Sequence, residues 1–241
     1  MLRRINENNS KSTNSILEQI LKEHNVATVI DLTCGTGSQV FWLSNSGFEV
    51  VGNDISRSML KIAKQKAKLK NLKIKFLHGD CRNISVGVFD SAITIFNSIG
   101  HLTREDFKDT IQNINRNLKP GGLYIFDIFN LDYLKHENNI LKLTGDWITS
   151  KDNKKVREIQ FSTISDDGVL ASYSTYVYED ERSGLTKVSK GYENTLQVYG
   201  SDELKLLLQQ GGFSVLKQVS INGEEFSKEK TERILTVAKK M

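Results

Sequence analysis

The sequence predicts an α/β fold built on a doubly wound parallel sheet, with a second, antiparallel β segment inserted near its end. Strand-like and helix-like patterns alternate through the first 130 residues, as expected of parallel strands joined by crossover helices. Apolar periodicity predicts strands at 27–32, 48–53, 73–78, 89–96 and 122–128. The same analysis predicts helices at 13–23, 38–46, 56–70 and 104–118.

The pattern changes after Asn130, where three β-rich stretches follow one another. They cover 155–165, 168–180 and 185–199, and the two links between them contain Asp-Asp-Gly and Arg-Ser-Gly, which are hairpin signals. A helix at 201–210 and strands at 213–220 and 232–238 then return the chain to the first pattern. We expect the last two strands to form an antiparallel edge of a seven-stranded sheet. The predicted division is 1–130 and 200–241 for the core, with 131–199 as the insertion.

Composition places limits on the class of protein. At 241 residues and 27.3 kDa the chain can bury one sizeable core. No apolar run is long enough to span a bilayer, and the first residues lack an apolar signal core. Two cysteines without metal-ligand spacing predict reduced thiols, a cytoplasmic location and no metal site. Lysines alternate with acids along most of the chain and the net charge is only +4, so a nucleic-acid partner is not expected. The oligomeric state is left open.

The most informative segment is Val29 to Ser38, an apolar run that ends in an acid and turns through Gly35 and Gly37. A strand that feeds a glycine-rich turn and a helix start is typical of nucleotide binding, because free N–H groups face the ligand. The dinucleotide pattern requires a third small residue where this chain has Val40, and the phosphate-binding loop requires a lysine after the second glycine, where Ser38 stands. The ligand therefore need not carry a polyphosphate.

Three acids end three successive predicted strands. Asp31 ends the first strand, Asp54 the second and Asp80 the third. Asp54 lies about twenty residues beyond the glycines, the spacing at which a strand-end carboxylate binds a ribose diol. Because the carboxyl ends of parallel strands meet at one edge of the sheet, these acids should converge on one crevice. Asp54 can alternatively cap the following helix, and Asp80 can alternatively be a turn residue.

Four segments in this order resemble the motifs of class I S-adenosylmethionine-dependent methyltransferases. They are Asp31 to Gly37, Asp54 to Leu60, Gly79 to Arg82 and Leu118 to Asp127. The resemblance implies a Rossmann-like methyltransferase fold and S-adenosyl-L-methionine as the cofactor. It implies that the cofactor contacts come from Asp31, Thr33, Cys34, Gly35, Gly37, Asp54, Ile55, Met59, Asp80, Cys81, Arg82 and Asn97.

The segment from Phe96 to Leu102 resembles the Ser-Ile-Gly-His-Leu segment of deoxyaminosugar N,N-dimethyltransferases and related small-molecule N-methyltransferases. The resemblance implies that His101 is the active-site histidine, where a neutral imidazole can accept a proton near pH 7. It also implies that Ser98 contacts the acceptor and that the insertion covers the acceptor pocket, with Tyr176 and Tyr178 as candidate contacts. The alternative for His101 is a packing role before the next helix.

These observations predict a methyltransferase that acts on a small molecule, at a nitrogen atom. Two other classes of protein remain open at this point. One is an RNA or protein methyltransferase with the same core, which would need a basic, exposed groove. The other is a non-catalytic cofactor-binding protein that kept the fold.

Overall fold

The computed structural model describes residues 7–151, 154–180 and 183–241, and its centre is a seven-stranded sheet. The strands of this sheet are β1 Thr28–Asp31, β2 Glu49–Asp54, β3 Lys75–His78, β4 Phe89–Thr94, β5 Leu118–Phe129, β10 Phe213–Ser220 and β11 Arg233–Lys240. They are arranged in the order β10-β11-β5-β4-β1-β2-β3. The predicted α/β class, the doubly wound sheet and the antiparallel edge are confirmed.

Strand direction follows from how the segments are connected. β1 pairs in parallel with β2 and β4, and the neighbouring pairs β2–β3 and β4–β5 are also parallel. Where a helix joins two of these parallel strands, it crosses over one face of the sheet, because parallel strands cannot be joined by a tight turn. β11 instead lies antiparallel to both β5 and β10. All the parallel strands therefore end at one edge, where ligands bind in sheets of this type.

Helices cover both faces of the sheet and bury an apolar stripe against it. The helices are α1 Glu7–Glu23, α2 Ser38–Asn45, α3 Arg57–Leu69, α4 Arg104–Arg116, α5 Leu131–Lys135 and α6 Ser201–Gln210. One core cluster contains Leu17 of α1, Val40 of α2 and Leu60 of α3, and a second contains Phe107 of α4 and Leu204 of α6. No helix in the described ranges has the length and apolar character needed to cross a bilayer.

The second sheet is a four-stranded antiparallel unit with strands in sequential order. Its strands are β6 Gly145–Lys151, β7 Lys154–Ile164, β8 Val169–Asp180 and β9 Leu185–Gln197. Leu170 and Leu196 pack with Phe129 and Tyr133 in a third apolar cluster, separate from the two under the main sheet. The insertion enters and leaves at one point, because Asn130 pairs with Tyr199 and the Leu131 N–H donates to the Tyr199 carbonyl at 3.0 Å.

Local boundaries differ from the predicted ones in four places. The first helix begins at Glu7 rather than near Thr13, and β5 begins at Leu118, four residues earlier than expected. The insertion opens with α5 and a 3₁₀ helix over His136–Leu143, and β6 precedes the first strand predicted there. The polar and charged residues of 131–144 hide these short elements, because neither helical nor alternating apolar periodicity is visible in so short a run.

Candidate functional site

The glycine-rich turn joins β1 to α2 at the carboxyl edge of the main sheet. Gly35 and Gly37 have φ angles of 53° and 90°, a region that favours glycine. A Cβ atom on Gly37 would lie 2.7 Å from the Phe41 ring, whereas the space beside Gly35 is open for 4 Å. The main chain around Gly35 can therefore approach a ligand closely, next to the N–H groups that begin α2.

Asp31 lies beneath this turn with an unused acceptor. Its Oδ1 accepts the Thr33 N–H at 3.2 Å, while its Oδ2 is buried without a hydrogen-bond donor in the part of the chain described. The Thr33 hydroxyl is likewise buried and unpaired. Burial, together with the nearby Asp54 charge, raises the pKa of Asp31 to about 8. A cationic donor such as an ammonium group would satisfy this oxygen and lower that pKa.

Asp54 joins the glycine-rich turn to the start of α3. Its two carboxylate oxygens accept the Gly35 N–H at 2.7 Å and the Ser56 N–H at 2.8 Å. The cap of α3 is Ser56, whose hydroxyl accepts the Met59 N–H, so Asp54 is not the capping residue. Each Asp54 oxygen retains a lone pair that can accept a ribose hydroxyl.

Two apolar side chains lie exposed next to Asp54. Ile55 is 64% exposed and Met59 is 43% exposed. Exposed aliphatic groups beside a strand-end carboxylate form a surface on which a flat purine can pack. The predicted ribose motif therefore has the polar and apolar parts that a nucleoside needs.

Asn53, which the sequence analysis did not single out, ties three strand ends together. Its buried amide donates to the Leu32 and Gly79 carbonyls, both at 3.0 Å. A Cβ atom on Gly79 would lie 2.3 Å from the end of the Ile84 side chain, which would have to shift. Asn53 precedes Asp54 on β2, and only the fold shows that its side chain faces both neighbouring strand ends.

Asp80 forms part of a charged triad with Arg82 and Asp106. The Arg82 guanidinium donates to both Asp80 oxygens, at 2.6 to 3.0 Å, and to Asp106 at 2.6 Å. These bonds hold the pKa of Asp80 below its ordinary value, so the acid is ionised at neutral pH. Cys81 lies between them, half-buried, and its carbonyl accepts the Asn113 amide at 3.0 Å.

Cys34 helps to hold the glycine-rich turn through both its thiol, which donates to the Gly35 carbonyl at 3.8 Å, and its main chain. Its thiol is buried in the core and would lie 3.1 Å from a Cβ atom placed on Gly52. Burial raises the pKa of the thiol, which therefore stays protonated and unreactive. The Cys34 N–H donates to the Asn53 carbonyl at 2.8 Å, which fixes the turn against β2.

A strained turn follows β4, at the opposite side of the crevice from Asp80. Phe96 and Asn97 both have positive φ angles, 65° and 63°, which are unfavourable for a bulky residue such as Phe. The buried Asp127 carboxylate accepts both of their N–H groups, at 2.6 and 3.2 Å. Arg233 pairs with Asp127 and lies over the Phe96 ring at 5.8 Å. Backbone strain held in this way is common at functional sites.

From the sequence, Asp127 was named only as the last residue of the fourth motif, and Arg233 was not named. The two residues are 106 positions apart, so nothing in a single sequence connects them. A buried acid at the end of a central strand is the one signal that could have drawn attention to Asp127.

Asn97 and the 3₁₀ turn Ser98–His101 form the wall next to the second sheet. Asn97 Oδ1 accepts the Phe129 N–H at 2.9 Å, while its amide nitrogen is buried without an acceptor among the described residues. The Ser98 hydroxyl donates to the Ile95 carbonyl at 2.6 Å. A Cβ atom on Gly100 would lie 3.4 Å from the Gln197 carbonyl of β9, so the turn contacts the second sheet closely.

His101 is exposed at the end of this turn, and no hydrogen bond from another described residue holds its ring. Partial desolvation by its surroundings lowers the pKa of the imidazole below its ordinary value. His101 is therefore neutral at pH 7 and can accept a proton.

The predicted acceptor contacts Tyr176 and Tyr178 lie on one face of β8, with ring centroids 6.1 Å apart. The Tyr176 hydroxyl donates to Glu158 at 3.0 Å. The second sheet meets the 3₁₀ turn near Gln197, which pairs with Val169, seven residues before Tyr176. Seven residues of strand span about 23 Å. The structure shows no contact between these tyrosines and His101, and their acceptor role stays a prediction.

The site geometry agrees with comparisons to known proteins. Residues 29–122 match the family model described as "Methyltransferase domain". The glycine/sarcosine N-methyltransferase of Aphanothece halophytica is 28% identical over 96% of this chain and 83% of its own length. A solved S-adenosylmethionine-dependent methyltransferase from Clostridium acetobutylicum has a TM-score of 0.78 at 23% identity, covering 95% of this chain and 91% of that one.

The amino pentose methyltransferase CalS10 of Micromonospora echinaspora, solved with S-adenosylmethionine bound, has the same architecture. Its TM-score is 0.75 at 18% identity, covering 95% of this chain and 90% of that one. The unpaired Asp31 oxygen, the open space beside Gly35 and the apolar surface beside Asp54 all fit this cofactor. Residues 29–122 therefore form a methyltransferase domain, and the chain has the fold of the solved S-adenosylmethionine-dependent methyltransferases.

Proposed function

We propose that the protein methylates a small molecule at an amine nitrogen. The observation that carries this proposal is the exposed, uncharged His101 at the end of the strained turn after β4. Similarity to a glycine/sarcosine N-methyltransferase along nearly the whole chain supports an amine acceptor. S-adenosylmethionine, when bound, supplies an electrophilic methyl group on a sulfonium, so the protein has to align the acceptor and exclude water.

In this proposal, different residues of the crevice bind different parts of the cofactor. Asp31 and the main chain of Thr33 to Gly37 hold the amino-acid end, and Asp54 holds the ribose. Ile55 and Met59 pack against the adenine, and Asp80, Cys81 and Arg82 bound its edge. Asn97, whose amide nitrogen is buried without an acceptor among the described residues, is assigned to the same crevice from the β4 side. These assignments rest on the convergence of the three strand ends and on the unpaired polar atoms among them.

The acceptor residues lie on the other side. Ser98 and His101 bound the acceptor, and the inserted unit 131–199 covers it and determines which acceptor fits, with Tyr176 and Tyr178 as candidate contacts. A protonated amine must lose its proton before or during methyl transfer, and His101 takes it at the imidazole nitrogen. With two free cysteines, the chain is suited to a reducing cytoplasm.

A labelled-methyl screen tests this function. Purified protein is incubated with cofactor carrying a labelled methyl group and with separate pools of amines, alcohols, RNA and protein. The label is expected in the amine pool. Transfer to RNA or protein with none to amines would overturn the proposal, and transfer to alcohols alone would overturn the choice of nitrogen.

Replacing Asp54 with asparagine is expected to weaken S-adenosylhomocysteine binding by about tenfold to a hundredfold, because a charge-assisted hydrogen bond contributes about 1.5–3 kcal/mol. Isothermal titration calorimetry measures this change. Glu49→Gln, at the exposed opposite end of β2, is the matched control and should bind normally. Unchanged affinity in a folded Asp54→Asn protein would remove the ribose assignment.

A further inference from the structure

The charge of the chain is distributed unevenly. Residues 55–78 contain eight lysines and arginines and no aspartate or glutamate. Because the whole chain has a net charge of +4, all other residues together have a net charge of −4. The chain-wide balance that argued against a polyanionic partner therefore hides one strongly basic segment, which forms α3 and β3.

Four of these cations form a straight stripe on α3. Arg57, Lys61, Lys64 and Lys68 follow one another at intervals of four, three and four residues, which places them on one flank of a helix. All four are exposed. At 1.5 Å per residue the stripe is about 16 Å long, the length over which a helical nucleic-acid strand presents about five phosphates.

The stripe lines a groove between α3 and the end of β3. The groove has a volume of about 440 Å³ and is bounded by the four cations, with the buried Leu60 at its floor and His78 at one end. His78 also contacts the Ile55 carbonyl at 3.1 Å, so the groove adjoins the adenosine side of the crevice. β4 lies three strands away from β3, about 14 Å, so the groove is separate from the acceptor side.

These cations have no carboxylate partner in the part of the chain that the structure describes. None of the eight forms an ion pair with another residue in the described ranges, and Lys66 alone donates a side-chain hydrogen bond, to Thr36 at 3.2 Å. Elsewhere lysines pair with acids, as Lys108 does with Glu105, Lys190 with Glu193 and Lys205 with Asp202. Unpaired like charges on one helix flank repel each other, so an anionic partner would stabilise this surface.

We propose that this basic groove binds the phosphodiester backbone of a nucleic-acid strand. Three kinds of anionic partner differ in the surface to which they bind: a protein, a bilayer and a nucleic-acid strand. A protein partner binds through aromatic and aliphatic anchors at a centre that is poor in lysine, whereas four of the seven residues that line this groove are lysine or arginine. A bilayer surface can also meet exposed cations, so binding to lipid vesicles is one of the outcomes that the experiment tests. A phosphodiester strand is linear, anionic and narrow, and it needs no apolar anchor.

The test is binding of a fluorescent 20-residue oligouridylate, followed by anisotropy without cofactor or acceptor. Four phosphate contacts predict that the logarithm of the affinity falls with the logarithm of the salt concentration at a slope of about −3. The variant with Lys61→Gln, Lys64→Gln and Lys68→Gln keeps good helix formers. It should bind about a hundredfold more weakly at 0.1 M salt, and its salt slope should be shallower than about −1.

The matched control removes the same total charge from paired lysines, as Lys108→Gln, Lys190→Gln and Lys205→Gln. It should bind the oligonucleotide nearly as well as the unmodified protein. Equal weakening of both triple variants would show attraction by net charge alone and overturn the proposal. So would the absence of oligonucleotide binding by the unmodified protein, equal affinity for oligoglutamate of the same length, or groove-dependent binding to phosphatidylserine vesicles in its place.

S-adenosylhomocysteine binding separates this proposal from the proposed function. The groove variant should bind it normally, which also shows that the protein is folded, because none of the three lysines belongs to the cofactor residues. The labelled-methyl screen identifies the methyl acceptor, and the anisotropy measures oligonucleotide binding to the groove. Either proposal can therefore be overturned while the other stands.

Discussion

Replacing His101 with alanine is expected to lower turnover of an amine acceptor by about 10²–10⁴-fold at neutral pH. The physical reason is that an ammonium group has no lone pair for the methyl, and His101, whose pKa is lowered by desolvation, is the base that we propose for the acceptor. Cofactor affinity should stay nearly unchanged, because the residue faces the acceptor side. Steady-state kinetics with labelled cofactor, together with calorimetry of S-adenosylhomocysteine, measures both quantities.

The pH profile separates a base from an alignment role. Because desolvation lowers the pKa of His101, the unmodified enzyme should keep activity somewhat below pH 6.5 and lose it as the imidazole becomes protonated. The His101→Ala enzyme should recover partly as the pH rises and more free amine is present. His24→Ala, at an exposed position near the end of α1, is the control and should be fully active. Full activity of His101→Ala at neutral pH would make His101 a packing residue.

Replacing Asp127 with alanine is expected to reduce the free energy of unfolding by about 3–5 kcal/mol. The change removes the acceptor of two N–H groups and leaves the Arg233 guanidinium, whose side chain is only 21% exposed, without its partner. It also releases the positive φ angles of Phe96 and Asn97, so turnover should fall with stability. Urea unfolding followed by circular dichroism measures the first effect.

Two further variants make this result interpretable. Asp127→Asn keeps one oxygen acceptor, so its loss of stability should be smaller than that of Asp127→Ala. Asp109→Ala, at an exposed position on α4, should change the unfolding free energy by less than about 0.5 kcal/mol. A loss below about 1 kcal/mol in Asp127→Ala would show that the turn after β4 does not depend on this ion pair.

The positions of the strands and helices of the core could be predicted because each element has a clear period. The 3.6-residue repeat of α3 and the apolar runs ending in Asp31 and Asp54 are local properties of the sequence. The capping box of α4 was equally local, since Thr103 and Asp106 each accept the other's N–H. Elements of this kind depend little on distant residues.

The parts that could not be predicted depend on contacts between distant residues. The Asp127–Arg233 pair and the position of Asn53 between three strand ends need the folded sheet. The basic stripe on α3 is visible as a composition, but the groove beside it is formed only when β3 packs against the helix. The short helices of 131–143 have too few residues to show a period.

The pairing of Asn130 with Tyr199, which brings the two ends of the insertion together, affects how such a chain can vary. Because the two ends of the insertion are hydrogen-bonded neighbours, about seventy residues can change in length or sequence without altering the distance that the main sheet must bridge. Leu170 and Leu196 of the inserted unit pack with Tyr133 and with Phe129 of β5 in the third apolar cluster. The inserted unit can therefore change in sequence while the strand pairing of the main sheet stays the same.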